Sequence, residues 1–228
     1  MTIFRYALLR CARSPASLII NAALPLLIVF LPTMWESESL PGLFLIGLMV
    51  MFSAMPMARN FLNDRVSGVL TRVLSGPTSS RKYLAQTLLA YSIPIILPLW
   101  LIVGVGAVRH GWELDFALWL ALSYAVYAAA TVGFALAWSC LFRNNETSMS
   151  IMGVFISVIA VLSGLMIPLE NLPGVLAYVG AIFPAYWAST AITNLRDYGV
   201  NLMYWVSLGA MVLFTVAFVL FGGKRRIA

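Results

Sequence analysis

Six long apolar runs alternate with short polar segments along the chain. They cover about residues 17–34, 42–58, 83–108, 116–142, 149–167 and 201–221, and none of them contains an Asp, Glu, Lys, Arg or His residue. Because about 20 apolar residues suffice for a helix to cross the hydrocarbon core of a bilayer, each run predicts one transmembrane helix. We therefore expect an all-α integral membrane protein, folded as a single transmembrane domain over residues 1–228.

The composition supports this interpretation and excludes several classes of protein. Of the 228 residues, 62% are apolar and 10% are charged, whereas soluble domains carry about 25% charged residues. The loops between the runs are too short for a soluble domain of about 50 residues or more. We therefore expect no ATPase, kinase or nucleic-acid-binding domain in the chain, and no nucleic-acid partner.

The 14 Lys and Arg residues are distributed unequally between the loops. When alternate loops are assigned to opposite sides with the N-terminus inside, 12 of the 14 fall inside, and only Arg109 and Arg196 fall outside. Cytoplasmic loops of membrane proteins are enriched in Lys and Arg. We therefore expect a multi-pass protein of the bacterial plasma (inner) membrane with both termini in the cytoplasm.

A polar segment between the second and third runs has the pattern of an amphipathic helix. Apolar residues at positions 62, 66, 69, 70, 73 and 74 share one helical face, and Gly76-Pro77 is a typical helix end. The segment predicts a cytoplasmic helix over 62–75. Two interpretations remain open, a helix lying on the membrane and a docking helix for a cytoplasmic partner. For docking, the candidate residues are Asp64, Arg65, Gly68, Val69 and Arg72.

Two further segments outside the runs have amphipathic character. Residues 2–13 predict a short helix in the cytoplasmic membrane interface, with a disordered basic leader as the alternative. Residues 168–200 contain apolar stretches that are too short to span a bilayer, interrupted by prolines and rich in aromatic residues. They predict an external re-entrant helical hairpin, whose candidate residues are Pro173, Tyr178, Pro184, Tyr186 and Trp187.

The fifth run carries small residues at steps of three and four positions, which places them on one helical face. Such faces let membrane helices approach closely, so they predict either a dimer interface and substrate path or packing within the same chain. The residues are Ser150, Gly153, Ser157, Ala160 and Gly164. Met51 and Met55 of the second run are candidates for the same path, although methionine facing lipid is the commoner case.

Catalytic and metal-binding patterns are missing from the sequence. The six runs contain no ionisable residue for a proton or ion relay, and the two cysteines, Cys11 and Cys140, do not make a metal site. His110 lies in a predicted external loop, where a hydrated side chain is the simplest interpretation. We expect no enzymatic activity, no metal and no cofactor in this chain. A transporter of this composition must receive its energy from another protein.

The order of these elements resembles the membrane subunit of a type-2 ABC transporter, the permease of an ABC exporter. The resemblance covers nearly the whole chain and is carried by two series of residues. The first is Asp64, Arg65, Gly68, Leu70, Arg72, Leu74 and Pro77, followed by Ser79 and Tyr83; the second is Leu162, Ser163, Gly164, Pro168, Pro173, Pro184 and Tyr186. In place of the acid-rich start that the family commonly has at the first series, this chain has only Asp64 and Arg65.

The resemblance implies a dimer of such subunits, formed with a second copy or a paralogous permease, on two copies of a cytoplasmic ATP-binding subunit that holds ATP and Mg²⁺. It also implies that 62–75 is the coupling helix and that the substrate moves outward between the subunits. The charge-free runs favour an apolar or amphipathic substrate, such as a drug, lipid, lipopeptide or antimicrobial peptide. The alternatives are a permease-like sensor or immunity protein that binds a peptide without transport, and a membrane assembly factor.

Overall fold

The computed structural model describes residues 2–12, 19–36, 40–75 and 79–224, and the described residues contain no β-strand. A π-helical turn (Ile19–Ala23) precedes the second helix, and short 3₁₀ turns lie at Pro32–Met34 and Leu169–Asn171. The helices are, in chain order, α1 (Thr2–Ala12), α2 (Leu24–Phe30), α3 (Pro41–Phe52), α4 (Ala54–Val66), α5 (Val69–Leu74), α6 (Ser80–His110), α7 (Leu114–Ser139), α8 (Asn145–Leu162), α9 (Gly174–Gly180), α10 (Pro184–Tyr198) and α11 (Leu202–Lys224).

Five helical segments among the described residues are long and apolar enough to cross a membrane: Pro41–Val66, Lys82–His110, Leu114–Ser139, Asn145–Leu162 and Leu202–Gly222. They match the second to sixth predicted spans. The described part of the first predicted span contains a shorter apolar helix, Asn21–Phe30, and residues 17 and 18 of that span lie outside the described residues. The prediction of an all-helical membrane protein is confirmed, with five helices of sufficient length and a sixth if α9 and α10 form one bent span.

The helices run alternately between two ends of a bundle. One end, which we call the basic end, carries the turns at 67–68 and 140–144 and the C-terminal end of α11. The end of α11 lies against the start of α6 and the turn after α7, because a Cβ added at Gly222 would lie 3.3 Å from Cδ1 of Leu84 and 3.9 Å from Sγ of Cys140. The opposite end carries the turns at 111–113, 163–173 and 199–201.

Helix α7 lies at the centre of the bundle and contacts α4, α6, α10 and α11. Side-chain hydroxyl groups join it to its neighbours where water is scarce. Tyr124 donates to the Leu43 carbonyl at 2.7 Å, and Tyr204 donates to the Trp119 carbonyl at 2.8 Å. Buried hydroxyl groups that have such partners avoid the cost of burying an unpaired polar group, so these bonds fix α3 and α11 against α7.

Helix α6 contains two prolines, Pro94 and Pro98. Proline has no N–H group, so Pro98 cannot donate to the carbonyl one turn earlier, that of Pro94. The buried side chain of Asn21, in the π-helical turn, places its Nδ2 group 3.5 Å from this carbonyl. A side chain of the first predicted span therefore supplies the donor that the third span lacks.

Two side chains differ from the environments expected for them. Met51 is 2% exposed and therefore packs inside the protein rather than facing lipid, since helix α3 is covered on several sides. His110 is the last residue of α6 rather than a hydrated loop residue. Its ring stacks on Trp35 with centroids 4.6 Å apart, and its Nε2 lies 3.2 Å from the Val29 carbonyl.

Candidate functional site

The amphipathic segment predicted over 62–75 is two helices rather than one. Helix α4 extends through Val66, and α5 begins at Val69. Between them Gly68 has φ +73°, a left-handed conformation that glycine adopts without a steric penalty. The prediction of a continuous helix was therefore wrong at this position. Leu62 belongs to the end of the second span, and only six residues form the separate helix.

The short helix α5 presents a mixed surface. Leu70 is fully buried and anchors α5 to the bundle, whereas Val66 and Val69 are 62% and 43% exposed. Arg72 is exposed as well and lies one turn after Val69, so the two share a face. Apart from its neighbours along the chain, no atom lies within 4 Å of a Cβ built on Gly68. The basic end therefore has an accessible surface, which we call the α5 surface, made of Val66, Gly68, Val69 and Arg72.

Arg65 does not belong to this surface. It is half-buried, and its Nη1 donates to the carbonyls of Ser139 and Phe142, each at 3.1 Å. These carbonyls lie at and just beyond the end of α7, where helical carbonyls lack an intrahelical donor and a positive charge is favourable. These contacts occupy Nη1 within the chain, and the binding of Arg65 to acids of a partner stays a prediction. Its neighbour Asp64 is also half-buried.

A second set of polar contacts strengthens the same junction. Nδ2 of Asn145, the first residue of α8, hydrogen-bonds to Oδ1 of Asn63 in α4. The Ser139 hydroxyl oxygen lies 3.0 Å from the Ala58 carbonyl of α4 and 2.7 Å from the Ala135 carbonyl of its own helix, so its single proton is shared between them. We refer to the contacts of Asn63 and Arg65 with Ser139, Phe142 and Asn145 as the basic-end clamp. It fastens the end of α4 to the turn that joins α7 and α8.

The sequence did not single out the clamp residues other than Arg65. Asn63, Ser139 and Asn145 are uncharged polar residues next to apolar runs, and this position is the only signal that could have found them. Their partners lie more than 70 residues away along the chain for the Arg65 and Asn63 contacts.

The small residues of the fifth span do not share one environment. Ser150 and Ser157 are exposed, whereas Ala160 is buried. A Cβ added at Gly153 would lie 3.7 Å from the Met55 methyl group, so this glycine packs within the chain. Gly164 has φ +83° and ends the span against the Leu169 side chain. The single small-residue face predicted from the spacing is therefore divided, because α8 ends before Gly164.

The hairpin residues at the opposite end divide into an exposed and a buried group. Pro173 and Tyr178 are exposed, the latter by 81%. Pro184 is buried at the start of α10, and Tyr186 is half-buried. Trp187 donates from Nε1 to the Ala181 carbonyl at 2.9 Å and so fixes the bend. Helices α9 and α10 meet at a bend of 110°.

Helix α10 belongs to the core of the bundle along one whole face. Ala185, Ala188, Ala191, Ile192 and Leu195 are all at most 3% exposed, and α10 contacts α7 and α11. Among the described residues, no group of three His, Cys, Asp or Glu side chains is arranged to hold a metal ion.

Comparison with curated proteins found no match. A family model does match: the model of the ABC-2 family transporter proteins aligns with residues 18–224. The aligned range contains every helix from α2 to α11, including the clamp, the α5 surface and the bent pair at the opposite end. This range is nearly the whole chain. The chain therefore belongs to the ABC-2 family of transporter proteins and is a multi-pass membrane transport subunit.

Proposed function

We propose that this chain is the permease subunit of an ATP-driven ABC exporter that moves an apolar or amphipathic substrate outward. ATP and Mg²⁺ bind to a separate cytoplasmic ATPase subunit, present in two copies. Family membership supports the transport role and implies an ATP-binding partner. The observation that carries the coupling is the α5 surface, because it is accessible and adjoins the clamp.

The ATPase binds the α5 surface through apolar and charged contacts. Val66 and Val69 supply exposed apolar area, and Arg72 supplies a guanidinium group for a carboxylate of the partner. Gly68 leaves space for the partner's backbone to approach. Since Leu70 is fully buried, a displacement of α5 moves the residues packed around it rather than only the surface.

The clamp then transmits this displacement to several spans. Arg65 and Asn63 join the end of the second span to the turn between the fourth and fifth spans. Rigid elements with fixed contacts carry coupling between distant sites. Movement of α4 at the basic end therefore shifts the ends of α7 and α8 with it, and the path between the spans opens toward the other side.

This mechanism requires the basic end to face the cytoplasm. The distribution of Lys and Arg supports that orientation. Labelling of single cysteines in intact cells tests it, with Cys11 and Cys140 replaced by serine. A cysteine at Ser75 is expected to be protected from a membrane-impermeant maleimide, and one at Glu113 is expected to react. Labelling of Ser75 from outside would refute the orientation.

We also propose that the working unit contains two permease subunits, either two copies of this chain or this chain with a paralogue. The fifth span supports this, because Val154 is 66% exposed in the single chain and lies on the same helical face as the exposed Ser150 and Ser157. Cross-linking through a cysteine at Val154 tests the contact. A cross-linked dimer is expected in native membranes, and its absence there would place this face against lipid.

Assembly with the ATPase is tested by co-expression and co-purification. Arg72→Glu is expected to reduce the amount of bound ATPase, because the reversed charge repels carboxylates of the partner. Arg109→Glu is the matched control, since it makes the same charge change at an exposed position of the opposite end. Equal ATPase content in both variants would place the docking surface elsewhere on the basic end.

Two other functions are separated from transport by turnover measurements. A permease-like sensor or immunity protein binds its peptide without transport, and an assembly factor binds no substrate. An exporter, in contrast, shows ATP hydrolysis that responds to substrate and ATP-dependent uptake into inverted vesicles. An ATPase that co-purifies but shows neither property would refute the exporter proposal.

A further inference from the structure

The opposite end of the bundle contains an open cavity of about 590 Å³. This volume is within the range of small-molecule sites in proteins, about 300–1,000 Å³. The start of α7 and the end of α10 form its walls, with Leu40 completing them. None of the residues discussed at the α5 surface or the clamp lies here.

Three aromatic side chains, from the start of α7 and the turn that precedes it, line this cavity. Trp112, Phe116 and Trp119 follow each other at steps of four and three residues. Trp112 and Phe116 meet edge to face with ring centroids 5.7 Å apart, and all three rings are half-buried. Their positions are therefore held by packing, and they provide π faces and apolar area to a ligand.

Two carboxylates stand beside these rings. Glu113 and Asp115 line the same cavity, and both side chains are exposed. Acids at a helix start often cap its N–H groups, but the Glu113 side chain accepts no capping hydrogen bond. Its negative charge is therefore directed to the cavity and solvent rather than used by the helix.

One cation also lines the cavity and has to be accounted for. The Arg196 guanidinium forms two hydrogen bonds with the carboxylate of Asp197, at 2.6 and 3.0 Å. This pair contributes no net charge. The cavity therefore has a net negative charge from Glu113 and Asp115.

We infer that this cavity binds an amphipathic organic cation. Aromatic faces attract a cation that is weakly hydrated, and the two carboxylates add a longer-range attraction. A small metal ion, in contrast, prefers several oxygen ligands over aromatic walls. The apolar part of the ligand lies against the aromatic rings, and its positive charge lies toward Glu113 and Asp115. The interpretation of this ligand as cargo rests on the proposed function, whereas its binding does not.

Equilibrium dialysis of the purified chain in a neutral detergent tests the site with two probes. Tetraphenylphosphonium and tetraphenylborate have the same shape and opposite charge, so that they differ mainly in the sign of their interaction with the cavity. The phosphonium is expected to bind in excess of its partition into detergent, and the borate is not. Equal binding of both ions would overturn the inference.

Variants assign the binding to this cavity. Glu113→Gln with Asp115→Asn is expected to weaken phosphonium binding about tenfold, since two screened charge interactions together amount to about 1.4 kcal/mol. Phe116→Leu keeps an apolar side chain but removes the aromatic ring, and it is expected to weaken phosphonium binding about threefold. Glu36→Gln with Glu146→Gln is the control, because it removes the same net charge from exposed positions outside the cavity. Equal losses in both double variants would overturn the inference.

Two further measurements keep the test decisive. If the double variant fails to fold, as judged by size-exclusion chromatography, Asp115→Asn alone is expected to lower the affinity about threefold. ATP-dependent phosphonium uptake into inverted vesicles containing the ATPase separates the two proposals. If phosphonium binds but is not taken up, the exporter function is contradicted and the binding site stays supported. If uptake is unchanged in the Glu113 and Asp115 variants, the binding site is contradicted and the exporter function stays supported.

Discussion

Arg65→Ala is expected to loosen the turn between α7 and α8 without removing the α5 surface. One guanidinium nitrogen serves two carbonyls, each at 3.1 Å. Hydrogen bonds from charged groups contribute about 1.5–3 kcal/mol each. Because the nitrogen is shared and the side chain is half-buried, we take about 2 kcal/mol for the pair together. Neither carbonyl has a helical donor to replace the lost one.

Cys140 provides a direct measure of this loosening. Its side chain is 5% exposed and lies within the turn, directly after Ser139. When labelling follows a rapid local opening, its rate is proportional to the population of the open form. A loss of about 2 kcal/mol therefore predicts about 30-fold faster reaction of Cys140 with a small maleimide. The measurement uses protein with Cys11 replaced by serine.

Arg72→Ala is the matched control for this measurement. Arg72 is exposed on α5, so that its removal is expected to leave the Cys140 labelling rate unchanged while it weakens binding of the ATPase. Arg65→Ala, in contrast, is expected to raise the labelling rate of Cys140 about 30-fold. If Arg65→Ala were labelled at the rate of the unmodified protein, the clamp would contribute nothing to the stability of the turn, and the transmission mechanism would be refuted.

Four glycine substitutions, one of them a control, test other parts of the structure. Gly68→Trp adds about 1 kcal/mol of backbone strain and no clash at Cβ, so we expect normal insertion but uncoupled ATP turnover. Gly111→Trp places the same residue at a similar φ at the opposite end and is expected to keep coupling. Gly153→Leu crowds Met55 and is expected to cost about 1–3 kcal/mol, measured by thermal unfolding. A fully stable variant would contradict this packing. Gly180→Ala is expected to lower the melting temperature further, because its Cβ would collide with the Leu162 carbonyl oxygen. An unchanged temperature would exclude this close approach.

The long helices could be predicted from the sequence because their signal is local. An uninterrupted apolar run specifies a membrane helix wherever it packs, and five such helices are present among the described residues. The first span was predicted with the same rule, yet its described part contains a π-helical turn and only a short apolar helix. The length of an apolar run does not indicate whether the helix is interrupted.

The break at Gly68 shows a different limit of the sequence pattern. The apolar positions on either side continue the helical period, so the period indicated one helix. The left-handed conformation of Gly68 changes the direction of the chain but leaves the spacing of the apolar positions in the sequence unchanged. Val66, Val69 and Leu70, which the period placed on one apolar face, differ in burial: the two valines are exposed, whereas Leu70 is buried.

The role of Arg65 could not be predicted for a third reason. Its partners are backbone carbonyls of Ser139 and Phe142, and every residue has a carbonyl group. No side-chain type at those positions indicates the contact. A charged residue on a loop between spans therefore has the same sequence signature whether it binds another protein or the end of a distant helix.

The contact between Asn21 and the Pro94 carbonyl restricts how this protein can exchange parts with its relatives. Pro98 lacks an N–H donor for this carbonyl, Asn21 supplies one, and inside a bilayer water does not replace it. A chimaera that keeps both prolines but takes a first span without Asn21 contains a carbonyl with no donor. One that keeps Asn21 and takes a third span without prolines contains a buried amide whose acceptor is already bonded. We therefore expect helix swaps to keep full stability only when both spans are transferred together.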